Sequence, residues 1–206
     1  ASSSDFGIGF YGDRVAFAST RNQERPIYPW NKMPALDLYS AQMDDDGEMK
    51  DIVLFSDVIN TDEHESSATF SQDGNTIYFD RTNEDRVKNE NDVRVAHISI
   101  YRAEMVDGEW TNVEKLPFSS EEYSVEHPSL SADGSKLYFA SDMPGGSGSF
   151  DIYMVEINED ELPDMYRPLY GEEEIEEEND MDGAVVEEEE QVVEEQVVEE
   201  QVVGEQ

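Results

Sequence analysis

A unit of about 60 residues is written three times between positions 4 and 158, and this repetition limits the fold more than any other feature of the chain. The segments GDRVAFAS, GNTIYFDR and GSKLYFAS bring Phe17, Phe79 and Phe139 into register, 62 and then 60 residues apart. Gly12, Gly74 and Gly134 each stand five residues before that aromatic. A later segment repeats in the same order: LDLYSA, ISIYRA and FDIYMV carry Tyr39, Tyr101 and Tyr153. The first two copies then add a glycine turn and a further segment, from Asp46 and from Asp107. The third copy shows no such segment and runs into NEDELPDMYRPLYGEEE.

Local patterning identifies these segments as strands. In SKLYFAS, Leu137 and Phe139 share one side while Lys136, Tyr138 and Ala140 share the other, the period of a pleated strand. Asp73-Gly74 and Asp133-Gly134 each join two apolar segments. This predicts tight hairpins in which glycine supplies a positive φ and Ser71 or Ser131 ties its hydroxyl to the local backbone. No convincing amphipathic helix precedes residue 171. Four short strands per 60-residue period predict propeller blades. The alternative, three hairpins of a sandwich, does not explain why turn, aromatic and tyrosine recur in one order. The expected fold is all-β: a partial β-propeller of about three four-stranded blades, 1–62, 63–125 and an incomplete 126–170. An acidic tail, 171–206, follows.

Charge divides the chain at the same place. The formal net charge is −38. Residues 171–206 contribute 17 acids and no base, and repeat QVVEE every five residues. A five-residue period keeps its valine pairs on neither one helix face nor one strand face. The tail therefore reads as a disordered polyanion. Acidity on both parts disfavours nucleic acid and anionic membrane surfaces as partners and favours cations or a basic protein. No apolar run approaches the length of a membrane helix, so direct insertion is not expected. The absence of cysteine removes disulfides, thiolate metal sites and cysteine nucleophiles. ASSSDFG lacks a signal-peptide pattern, so an exported form would be a processed chain or a piece of one.

The segments HESSATFSQDGNTIYFDR (64–81) and EHPSLSADGSKLYFASDMPGGSGSFDIYMVEI (126–157) resemble the WD40-like propeller repeat of the TolB type. They are more closely similar to the form found in OmpA-family envelope proteins of Bacteroidetes-type bacteria. The resemblance rests on the S-x-DG-x-x-(L/I)-YF core together with the PGG-x-G-x-x-DIY loop, and covers about residues 4–158. It implies a non-enzymatic protein-interaction module in the periplasm or at the outer membrane of a Gram-negative bacterium. Some members of that group are associated with secretion or gliding machinery. The chain departs from the family in having few blades and neither the helical repeats nor the peptidoglycan-binding domain. A propeller normally closes into a ring, so three blades predict an open arc with two exposed flanks available for self-association.

Candidate chemistry is sparse. No G-x-S-x-G nucleophile elbow occurs, and nothing calls for a cofactor or a catalytic residue. His64 and His127 stand just before the first strand of successive blades, which favours hydrogen bonding across a blade junction over a metal or catalytic role. MDDDGE (43–48) lacks the spacing of a calcium loop. The loop TRNQERPIYPWNKMPA (20–35) is the main candidate for partner binding. Arg21, Arg25, Tyr28, Trp30 and Met33 combine aromatic and guanidinium groups on a proline-stiffened connection, the composition of interaction hot spots. Packing of Trp30 onto its own blade is the competing reading. Trp110, in the outer strand of the second copy, reads as packing rather than ligand contact. The longer loop of the second copy, RTNEDRVKNENDVRVAH, reads as mobile. Two other functions remain open. One is an accessory propeller of a peptidase or sugar-processing protein whose catalytic domain is absent, and the other is a cation-binding surface.

Overall fold

The computed structural model describes residues 3–29, 31–89, 92–157 and the backbone of 167–168, all within the unit Ala1–Glu172. The acidic tail lies outside the described residues. Among those described there is no helix, and none therefore long and apolar enough to cross a membrane.

Three antiparallel four-stranded sheets succeed one another along the chain. Blade one comprises β1 (Asp5–Tyr11), β2 (Arg14–Ser19), β3 (Asp37–Met43) and β4 (Met49–Leu54), paired in that order. Blade two pairs β5 (Glu65–Phe70), β6 (Thr76–Thr82), β9 (Ile98–Val106) and β10 (Glu109–Lys115). Between β6 and β9 lies a separate hairpin, β7 (Val87–Lys88) with β8 (Arg94–Val95), in the stretch that patterning reads as a mobile loop. Blade three pairs β11 (Val125–Leu130), β12 (Lys136–Ser141), β13 (Asp151–Glu156) and the two-residue β14 (Arg167–Pro168). Patterning finds no fourth segment there, because two residues are too few to carry an alternation. The fold is a partial β-propeller.

The repeated aromatics are direct cross-strand neighbours. Phe17 faces Tyr39, Phe79 faces Tyr101, and Phe139 faces Tyr153. Their ring centroids are 6.1, 5.8 and 5.9 Å apart. The blades stack face to face, so blade two buries both faces, whereas β12 and β13 of blade three alternate buried inner with more open outer residues. At the first junction Ala16, Ala18 and Leu38 of blade one meet Phe70, Ile77, Phe79, Ala103 and Trp110 of blade two. Trp110 stacks on Phe55 at 5.6 Å and is core. At the second junction Tyr78 and Ile100 meet Leu137, Phe139, Tyr153 and Val155, with Leu116 and Phe118 filling in. Full burial of each such aromatic or aliphatic side chain stabilises by about 1.5–3 kcal/mol.

The hairpin turns repeat to the level of single hydrogen bonds. Gly74 and Gly134 have φ of 72° and 75°. Each donates its amide to the serine carbonyl three residues back, at 2.9 Å. The Ser71 and Ser131 hydroxyls donate to Asp73 and Asp133 at 2.6 Å and accept the Thr76 and Lys136 amides at 2.9 Å. The serine therefore closes the turn at both ends, which holds the Asp133 carboxyl down at about 2.

Blade one does not present the bare flank that an open arc predicts. Val15, Phe17, Tyr39 and Ala41 are each at most 8% exposed. The Arg21 guanidinium lies 5.0 Å over both rings, and Met49 and Leu54 pack beside them. Exposed apolar side chains include Phe10 (71%), Ile8 and Phe6 on β1, Ile52 and Val53 on β4, Ile27 and Tyr28 between β2 and β3, and Phe150 and Ile152 on blade three.

Candidate functional site

The connection between β2 and β3 folds into a small hairpin of its own. Ile27 bridges Pro34, flanked by the Tyr28 amide donating to the Met33 carbonyl at 2.7 Å and the Ala35 amide donating to the Pro26 carbonyl at 2.9 Å. Pro34 thus occupies the pair position that needs no amide, so a residue without N–H is tolerated there. The tip reverses through Lys32 at φ 60°, and Asn31 Oδ1 accepts the Met33 amide at 3.0 Å.

Ion pairs pin the hairpin's stem. Arg25 Nε donates to the fully buried Asp37 at 2.8 Å, and its Nη1 donates to Asp62 at 3.2 Å. Asn22 donates to Asp37 at 2.6 Å. Arg21 donates to both Asp5 oxygens at 3.0 Å and to Ser19 Oγ at 2.9 Å. Both arginines of the candidate set are therefore engaged within the blade. Tyr28 and Met33 stand on the hairpin's inner side. Trp30 lies outside the described residues.

Beneath the hairpin is a cleft of about 380 Å³. Tyr28, Asn31 and Met33 form one wall, Ser4 and Phe6 from the start of β1 the other, and Thr20, Leu36 and His64 complete it. No charged side chain lines it. His64 receives the Leu36 amide on Nδ1 at 3.2 Å and meets the Tyr28 ring edge-on at 4.8 Å. A ring nitrogen that accepts an N–H carries no proton, so the proton resides on Nε2. Burial, reinforced by Arg86 and opposed by Glu63, pushes the imidazole below its usual range.

His64 thus bonds across a blade junction, as its position suggests, but it is not the equivalent of His127. That place falls to Ser124, whose Oγ accepts the Ile98 amide at 3.2 Å just as His64 accepts that of Leu36. His127 lies inside β11, at the register shift between Glu126 and Ser129, with φ 57°. The same register shift occurs in β5, between Glu65 and Ala68, and with the repeat offset of 60 residues His127 stands at the place of Ser67 rather than of His64. Its amide donates to the buried Asp80 at 3.1 and 3.2 Å, and its Nδ1 lies 3.0 Å from Ser67 Oγ. Burial raises the Asp80 carboxyl to about 8. Hydroxyl and carboxylate approach the same ring nitrogen, with Asp80 Oδ2 at 3.7 Å. No proton path therefore runs from carboxylate through the ring to the serine, and the cluster is a strut between blades two and three.

A second buried acid, Glu65, accepts from Thr61 Oγ1 at 2.6 Å, from the Thr61 amide at 3.0 Å and from Arg81 Nε at 2.9 Å. Burial raises it to about 7 against these donors. Among the described residues no group of three or more His, Asp or Glu is placed to hold a metal ion. The cleft offers apolar walls and hydrogen-bond donors but no paired acid and base. Of its lining, the sequence points to Tyr28 and Met33 as side chains and to Thr20 and Asn31 only as members of the 20–35 loop, while Ser4, Phe6 and Leu36 lie outside that loop.

No protein-family model matches the chain, and no curated protein matches it. Among solved structures, a protein of Agrobacterium tumefaciens described as TolB is 18% identical with a TM-score of 0.49, covering 81% of this chain and 49% of its own. A puromycin-hydrolyzing peptidase of Mycobacterium tuberculosis is 18% identical with a TM-score of 0.44, covering 78% of this chain and 22% of its own. The chain thus spans less than half the length of either. Likeness at these scores adds nothing to the blade architecture, which rests on strand order, cross-strand pairing and the two junction cores.

Proposed function

We propose that the chain is a non-enzymatic protein-interaction module, the propeller region of a TolB-type, OmpA-like envelope protein in the periplasm or at the outer membrane of a Gram-negative bacterium, linked to secretion or gliding machinery. One observation carries the interaction reading. An extra hairpin, braced by the buried Arg25–Asp37 ion pair, overhangs an uncharged cleft at the junction of blades one and two. A rigid loop of this kind holds a binding surface without ordering cost on association. The repeat motifs support the envelope assignment, and the charge of −38 argues against nucleic acid.

The test is a photoreactive benzoylphenylalanine in place of Tyr28 in the native host. The expected result is a light-dependent adduct to one envelope protein, lost when Met33→Glu places a charge in the cleft. No adduct from position 28, or recovery of the chain in the cytoplasmic fraction, would refute the proposal.

A further inference from the structure

The hydrogen-bonding state of the cleft specifies what it takes. Three of its polar side chains already accept from the protein's own backbone, which takes the one acceptor of His64 and one of two lone pairs on Asn31 and on Thr20. Asn31 Oδ1 accepts the Met33 amide at 3.0 Å, His64 Nδ1 accepts the Leu36 amide at 3.2 Å, and Thr20 Oγ1 accepts the Ser4 amide at 2.9 Å. The hydrogens left are those of Asn31 Nδ2, His64 Nε2 and the Thr20 hydroxyl, all uncharged donors. Ser4 is the exception: its hydroxyl donates to Met33 Sδ at 3.6 Å, which leaves its oxygen as an acceptor. Around these groups Phe6, Tyr28, Met33 and Leu36 supply apolar surface.

Most charges nearby are paired: Asp5 with Arg21, Asp37 with Arg25, Glu63 with Arg86 and Glu65 with Arg81, while the exposed Asp62 shares Arg25. The cleft's own lining carries no charged side chain with which to select a cation.

We infer that the cleft binds an extended, uncharged peptide segment, with one apolar side chain between Tyr28 and Phe6 and the flanking carbonyls accepting from Asn31, His64 and Thr20. Building on the interaction reading, this assigns the ligand's chemistry at the same site. A peptide presents carbonyl acceptors beside each side chain and an amide hydrogen for Ser4. A neutral sugar presents hydroxyls, each with a hydrogen to place, and the backbone has taken the acceptor of His64 and half the acceptor capacity of Asn31 and Thr20. The cleft's volume of about 380 Å³ suits one large side chain with its two peptide groups.

The probe is N-acetyl-leucine N-methylamide, titrated into the whole chain carrying ¹³C-methyl methionine, with Met33→Leu used to assign the Met33 signal. Methyl β-glucoside is the comparator. The expected result is a saturable shift of the Met33 methyl with the blocked amino acid, at a Kd of about a millimolar, and none with the glycoside. His64→Ser keeps an acceptor for Leu36, as Ser124 does for Ile98, and removes the Nε2 donor. It should weaken the probe about fivefold while leaving the melting temperature near the parent's. Saturation by the glycoside, no saturation by the blocked amino acid, or full affinity in a folded His64→Ser variant would each overturn the inference. A Tyr28 adduct formed in cells without any response to the probe would sink the peptide assignment and leave the interaction module standing. Probe binding without the adduct would do the reverse.

Discussion

Gly9→Ala tests how tightly blades one and two are joined. A Cβ built on Gly9 would sit 2.3 Å from the Ala68 carbonyl oxygen, 3.2 Å from its carbon and 3.4 Å from Phe70 Cε2. Ordinary contact begins near 3.5 Å, so β1 and β5 would have to separate by about 1 Å. The obstacle is backbone on a paired strand and cannot rotate away. Overpacking of this kind costs about 1–3 kcal/mol, and more where main chain must move. The stiffer unfolded chain returns about 0.4–1 kcal/mol. The net loss should be about 2 kcal/mol, which for a protein of this size lowers the melting temperature by about 4–8 °C. Gly134→Ala is the control. It has φ 75° and open space around its Cβ, so only the backbone penalty of about 1 kcal/mol applies. Urea unfolding followed by tryptophan fluorescence reads both variants, because Trp110 stacks within the wedged junction. A Gly9→Ala protein that unfolds with the parent, or no earlier than Gly134→Ala, would mean that the inner strands are not in contact as described.

Gly134→Val should cost about 1–3 kcal/mol by urea titration, since a β-branched residue is forced to positive φ. Arg81→Met should destabilise by about 3 kcal/mol at pH 8, because Glu65 is left buried without its cation, and by less at pH 5, where Glu65 takes a proton. Asp80 binds its proton more tightly folded than unfolded, so its contribution to stability is complete below about pH 4 and is lost as pH rises towards 8. The denaturation midpoint should fall across that window, and Asp80→Asn should flatten the fall. His64 has the opposite sign: its folded pKa is lowered, so the Leu36 bond is secure above about pH 6.5 and weakens with acid, which amide exchange at Leu36 should register.

The blade plan was legible because it is repeated where backbone geometry demands one kind of residue. A turn that needs positive φ admits glycine at 74 and 134, and a packed sheet face admits a large ring at 17, 79 and 139. Junction chemistry was not legible in the same way, because different side chains meet the same need. His64 and Ser124 both accept the amide at the entry of the preceding blade's third strand, yet nothing in their types announces a shared role. Histidines 64 and 127 look alike in the chain, but they stand ten and seven residues before Gly74 and Gly134, and this offset gives the second another set of partners. Asp80 was visible only as a departure, an acid in YFDR where the sister segments have alanine. Its burial follows because that position faces the next blade. The blade-one loop shows the converse failure. Arg21 and Arg25 look like contact residues until Asp5, Asp37 and Asp62 are placed around them, and those acids come from elsewhere in the sequence. What the arginines do is neutralise and brace. The groups left for a partner are the uncharged ones, an asparagine, a threonine and a histidine, whose availability depends on which lone pairs the backbone has already used.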